Sequence, residues 1–245
     1  MKKTIFTILS LAVLTMGSAY AQDLQEILDK YFKTIGQENL LKVKSQISTG
    51  KILQMGMEMP FKAITKRPNK SYLEMEIQGA MMKQAYDGEN GWMIAPWTGS
   101  ADPIDLSGPE ARSVKEMADM DGNLWNYEEK GHQLELVGTE EMEGAEVYFL
   151  KLTKEGGDVD HYFIDTDNFV VMKMTSKIVI NGQETKMEIL FSNYQDVKGV
   201  LVPFTTEQRF DGQTGMTVNI EEVKINEEID DAIFLKPAPT EAEEQ

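Results

Sequence analysis

The chain has 245 residues, 41% apolar and 27% charged, a composition that excludes disorder throughout and suits one large β domain or two smaller ones. Its net charge of -17 repels nucleic-acid phosphates and anionic surfaces, so no nucleic-acid partner is expected. The absence of Cys excludes disulfides, thiolate metal sites, thiol nucleophiles and a lipid-modified N-terminal Cys. Only His132 and His161 remain for imidazole chemistry.

Residues 1–21 read as a cleaved signal peptide. Lys2 and Lys3 supply the positive start, Ile5 to Met16 the apolar stretch, and Ala19-Tyr20-Ala21 the small-x-small site that places cleavage before Gln22. The expectation is export to the periplasm or beyond it. From Asp23, the residues Leu24, Ile27, Leu28, Tyr31, Phe32 and Ile35 recur at the spacing of one helix face, stopped by Gly36.

After Val43 the period changes to two. Met57, Met59, Phe61 and Ala63 alternate with polar residues or Pro, and Leu73, Met75 and Ile77 alternate with Glu74 and Glu76, which predicts half-buried strands. Asp87-Gly88, Asn90-Gly91, Gly156-Gly157, Asn181-Gly182 and Asp211-Gly212 punctuate further strand-like runs, with Asn181-Gly182 the strongest hairpin signal. Ser107 followed by Pro109 and Glu110, with Ala111, Val114, Met117 and Ala118 at helical spacing, predicts a second helix over Pro109 to Asp121. Strands are predicted near 133–141, 145–154, 158–164, 169–180, 184–195, 200–210 and 214–225. Residues 22–238 read as one domain and 239–245 as a disordered acidic tail.

About ten or eleven antiparallel strands with two helices pose a geometric problem, because so large an open sheet must curl, split or close. The fold expected is mainly β, a strongly curved antiparallel sheet forming an incomplete barrel. Its convex side would carry the Glu/Lys alternation. Its concave side would carry Met, Leu and aromatic residues, with the helices lying inside as plug or lid and a cavity beneath them.

The cavity and lid candidates are Met57, Met59, Phe61, Leu73, Met75, Met82, Trp92, Trp97, Val114, Met117 and Trp125. Met is flexible and polarizable, so a Met-rich wall repacks around ligands of variable shape such as acyl chains. Catalytic constellations are missing from the sequence. Asp158, Asp160 and Tyr162 occupy one face of a strand and Val159, His161 and Phe163 the other, which separates the acids from His161. Asp165-Thr166-Asp167-Asn168 lacks the Gly and Glu that complete a calcium loop and reads as a turn. No metal site, cofactor or catalytic residue is assigned, and the chain is read as a binding protein rather than an enzyme.

Several short motifs carry a resemblance. The amphipathic helix Asp23 to Ile35 follows the signal directly, Arg67-Pro68-Asn69-Lys70 sits between two strands, and Tyr86-Asp87-Gly88-Glu89-Asn90-Gly91-Trp92 follows. Tyr162-Phe163-Ile164-Asp165, Val202-Pro203 and the closing Asp230, Phe234 and Pro237 complete the set. In these, over nearly the full mature length, the chain resembles the outer-membrane lipoprotein-sorting family, the LolA/LolB-like periplasmic carriers. The resemblance implies an incomplete barrel with a helical lid that holds lipoprotein acyl chains or lipid, without cofactor or catalysis. It also implies an inner-membrane transporter that loads the carrier and an outer-membrane acceptor. Arg67 takes the position where such proteins carry a basic residue after an early strand, which suggests a functional role alongside the plainer reading of a surface salt bridge. Two other functions fit the sequence: an envelope-stress or lipoprotein-sensing domain that carries no cargo and, more distantly, a hydrolase built on paired carboxylates.

Overall fold

The computed structural model describes residues 23–98, 102–180 and 182–239. The expected signal segment and residues 240–245 of the expected tail lie outside the described residues. Helix α1 covers residues 23–35 and a single turn, α2 (Gln37–Leu40), follows it. Gly36 separates them at φ 72, a left-handed conformation that suits glycine.

The strands that follow are β1 (Ser45–Gln54), β2 (Met57–Lys66), β3 (Lys70–Ile77), β4 (Ala80–Tyr86), β5 (Gly91–Ile94) and β6 (Ile104–Asp105). After helix α3 (Gly108–Met117) come β7 (Gln133–Met142), β8 (Ala145–Thr153), β9 (Val159–Asp165), β10 (Val171–Ile180), β11 (Gln183–Val197), β12 (Val200–Phe210) and β13 (Gln213–Ile225). All thirteen join one open antiparallel sheet in the order β6-β5-β4-β3-β2-β1-β13-β12-β11-β10-β9-β8-β7. The expectation of ten or eleven strands falls short because β5 and β6 are only four and two residues long, too short to show a period of two.

Every neighbouring pair is a sequence neighbour except β1 with β13, where the two ends of the chain meet. The free edges, β6 and β7, are consecutive in the chain, so residues 106–132, which contain α3, connect one edge of the open sheet to the other. Hairpin chemistry sets the local order. Ile180 pairs directly with Gln183, as the two-residue Asn-Gly turn predicts, although Asn181 itself is outside the described residues.

The register assigns a face to each residue, since side chains alternate along every strand. On one side, Leu150 pairs with Tyr162, Tyr162 with Met174, and Met174 with Ile189. Ile189 pairs with Gln208, Gln208 with Met216, Val218 with Ile52, and Ile52 with Met59. Phe61 pairs with Met75 and Met75 with Met82. This inner face carries both longer helices. Helix α1 buries Leu24, Ile27 and Leu28 against Leu134, Leu150, Leu152, Tyr162 and Ile164. Fully burying each of these side chains contributes about 1.5–3 kcal/mol relative to exposure, which makes this the main core.

Helix α3 lies against β3, β4 and β5, with the Ser71 hydroxyl donating to the Val114 carbonyl at 3.1 Å. Its close approach depends on Gly91, where an added Cβ would stand 2.8 Å from Val114 Cγ2. The helix departs from expectation at both ends. Ser107 has the extended backbone of a cap but makes no side-chain capping bond, and the helix stops at Met117 rather than Asp121.

On the outer face the C-terminal segment clamps the first strands, where Ile229 and Phe234 bury against Ile64 and Asp231 pairs with Lys66 and Lys70. The expected face split of β9 is observed. Asp160 points inward to Lys154 at 3.0 Å, while His161 packs outward against Phe149 at 5.2 Å between ring centroids. Asp165 Oδ1 accepts from the backbone N–H of Asp167 and Asn168, the turn predicted for this stretch.

Candidate functional site

The inner face is only partly covered. Between the ground held by α1 and that held by α3, Ile52, Met59 and Phe61 bury together, and Leu73, Met75, Ile77, Met216, Val218 and Ile220 pack around them while keeping part of their surface accessible. This is an open apolar trough running across β3, β2, β1 and β13. Met82 backs it from β4, and Met57 stands at its rim, 36% exposed.

Charge is distributed by face. The inner positions of these four strands that bound the trough are mostly aliphatic, aromatic, Met or Gly, and the polar residues among and beside them, Ser48, Gln54, Ser71, Gln84, Thr206 and Gln208, are uncharged. On the outer face, β2 and β3 carry Lys62 opposite Glu74, and Glu74 stands opposite Lys83 of β4. One period-two pattern therefore solvates the outside and leaves the trough free of fixed charge, so an apolar chain can lie there without desolvating an ion.

Met59, Phe61, Leu73, Met75 and Met82, all proposed from sequence, share this surface, with Met57 at its edge. Val114 and Met117 flank it. They line a crevice of about 10 Å³ with Leu73 and Gln84, where α3 meets the trough, Val114 being buried at 1% and Met117 exposed at 46%.

The three tryptophans are not brought together. Trp92 lies on the outer face, opposite to the placement expected from sequence. Its partner across the strands is Ala85, and its indole N–H donates to the Phe234 carbonyl at 2.7 Å, which fixes it beneath the C-terminal segment. Trp97 is 63% exposed in the turn after β5, away from the apolar cluster. Trp125 packs edge-on against Phe32 at 4.9 Å, on the α1 side.

Arg67 makes no contact with the trough either. Its guanidinium holds Asp121 in a bidentate pair at 2.6 and 2.7 Å and donates to the carbonyls of Leu40 and Val43. The bond to Asp121 raises its pKa further, and its donors are committed to holding α2, the end of β2 and the segment after α3.

The sequence reading missed the contribution of β13. Met216, Val218 and Ile220 do alternate, yet nothing local signals that they lie beside β1, more than 150 residues away. Among the described residues, no cluster of three or more His, Asp or Glu could hold a metal ion, and no helix is long and apolar enough to cross a membrane.

No family model matches the chain, and no curated protein does. Solved structures do. A LolA superfamily protein from Nitrosomonas europaea is 15% identical and superposes with a TM-score of 0.58 over 86% of this chain and 97% of its own. A DUF1329 family protein from Desulfovibrio piger is 13% identical, with a TM-score of 0.59 over 85% and 97%. A domain from Vibrio parahaemolyticus described as outer membrane lipoprotein-sorting is 12% identical, with a TM-score of 0.55 over 82% and 94%. The open thirteen-stranded sheet with its helices on one face is thus a LolA-like fold.

Proposed function

We propose that the protein is a periplasmic carrier that binds the acyl chains of a lipoprotein or lipid in the trough and takes part in outer-membrane lipoprotein sorting, without catalysing a reaction. The observation that carries this reading is the uncharged, Met-rich inner face left uncovered between α1 and α3. A contiguous, partly exposed apolar surface rimmed by polar residues is the kind of surface that serves as a binding site.

The energetics suit a carrier. Full burial contributes roughly 0.8 kcal/mol per CH₂, and a chain lying on an open wall recovers only part of that. Such binding is reversible, so transfer requires only an acceptor that covers the chain more completely. Export by the signal segment would place the protein between an inner-membrane transporter that loads it and an outer-membrane acceptor that receives the cargo.

Native mass spectrometry of the protein purified from its own envelope tests the reading. A stoichiometric adduct with the mass of an acylated species is expected. Protein that is uniformly free of acyl species, and that takes up none from added lipid, would contradict it.

A further inference from the structure

A second cavity, of about 280 Å³, opens on the side of α3 turned away from the trough, between the helix and the β4–β5 hairpin. Its chemistry differs from that of the trough. Arg112 and Lys115 line it from the helix, and Tyr86, Glu89 and Asn90 line it from the hairpin side. The two cations are three residues apart and so project from the same side of α3.

Arg112 is singular among the arginines. The chain has three, and Arg67 and Arg209 are each held by a carboxylate, Asp121 at 2.6 Å and Glu207 at 2.7 Å. Arg112 and Lys115 have no acidic partner among the described residues, in a chain with 41 acidic residues against 24 basic ones. Of the two carboxylates at the cavity, Asp105 is already paired with Lys236 at 2.8 Å, which leaves Glu89 unpaired on the hairpin side. Two open cations and one open carboxylate therefore line the same cavity. Burial, with Asp87 and Glu89 nearby, holds the Tyr86 phenol above its usual pKa, so it stays a neutral hydroxyl.

We propose that this cavity binds a phosphate ester bearing a primary ammonium, with Arg112 and Lys115 taking the phosphate and Glu89 the ammonium. The guanidinium fork matches two phosphate oxygens at once, Lys115 adds a point charge, and the Asn90 amide can donate a further hydrogen bond. Such a group occurs at the head of a phospholipid and also in free form. The site is distinct from the trough, and the inference holds whether or not acyl chains bind there.

Titration calorimetry at low ionic strength tests it with two probes, glycerophosphoethanolamine, which has no acyl chain, and dihexanoyl phosphatidylethanolamine below its micelle threshold. Saturable one-to-one binding of the first probe is expected, weakened about tenfold by Arg112→Gln or Lys115→Gln, the loss of one strong charge-assisted contact. Lys33→Gln, at an exposed position on α1, should bind as the wild type does. Glu89→Gln should abolish the preference for glycerophosphoethanolamine over glycerol phosphate. Tighter binding of the short-chain lipid would identify a lipid headgroup as the source, and equal binding a free ester. Absence of saturable binding for both probes would overturn the proposal. So would undiminished binding in an Arg112→Gln/Lys115→Gln double variant with a wild-type unfolding midpoint.

Discussion

Arg67 makes four hydrogen bonds to three residues, so removing it leaves the Asp121 carboxylate and the Val43 carbonyl without their donor, while the Leu40 carbonyl keeps only the Val43 N–H. Losing one member of a partly buried, hydrogen-bonded pair costs about 3 kcal/mol. Urea denaturation should therefore show Arg67→Ala destabilised by about that amount, with Arg67→Lys recovering only a fraction, because an ammonium cannot bridge both carboxylate oxygens while reaching Leu40 and Val43. Ligand bound per folded molecule should not change, which would separate a structural role from a functional one.

His132 supplies a pH-dependent counterpart. Burial, reinforced by the charges of Lys130 and Lys154, lowers its pKa below the ordinary 6.5, and its Nδ1 accepts the Glu155 backbone N–H, which requires the unprotonated ring. The native state thus disfavours the proton. The contribution of His132 to stability is present above pH 6.5 and is lost as the pH falls through the lowered native value. Thermal unfolding from about pH 7.5 to about pH 5 should fall less steeply for His132→Ala than for the wild type. Single residues were legible in sequence where one strand decides the outcome, as with Asp160 and His161 on opposite faces of β9. Trp92 was not, because its face depends on pairing with Ala85 and on a C-terminal segment distant in the chain.

At the scale of elements, α3 carries the contrast that bears most on function. Val114 is buried against Tyr86 and Ala118, whereas Met117 lies open at the trough's edge. Val114→Glu buries an unpaired charge and should cost several kcal/mol or prevent folding. Met117→Glu should move the unfolding midpoint only slightly while sharply reducing acyl-chain retention, measured by displacement of a fluorescent fatty acid. Loss of stability in Met117→Glu with retention unchanged would contradict the placement of α3 beside a binding surface.

Most long elements were legible from periodicity. The seven strands from β7 to β13 fall within about three residues of the ranges expected, since each is bounded by turn residues. The end of α3 was not. Its apolar spacing continues toward Gly122, yet Asp119 is held by Lys130 and Asp121 by Arg67, and these ion pairs draw the chain out of the helix after Met117.

For the whole molecule, the strand count and the two helices on one face predicted an incomplete barrel, and the sheet is of that kind. What local pattern could not supply is the meeting of β1 and β13, a pairing between the two ends of the chain that completes the trough. Hydrophobic alternation says that a strand has an inner face. It does not say which strand lies beside it.

The central claim is that acyl chains occupy this trough, and the methionines report on it directly. With the methionine methyl groups carbon-13 labelled, a lysophospholipid carrying a spin label on its acyl chain should broaden the resonances of Met59, Met75, Met82 and Met216 on the inner face. Those of Met81, exposed on the outer face of β4, and of Met142, at the far end of β7, should be left sharp. Broadening confined to Met81 and Met142, or no broadening at saturating lipid, would contradict the account.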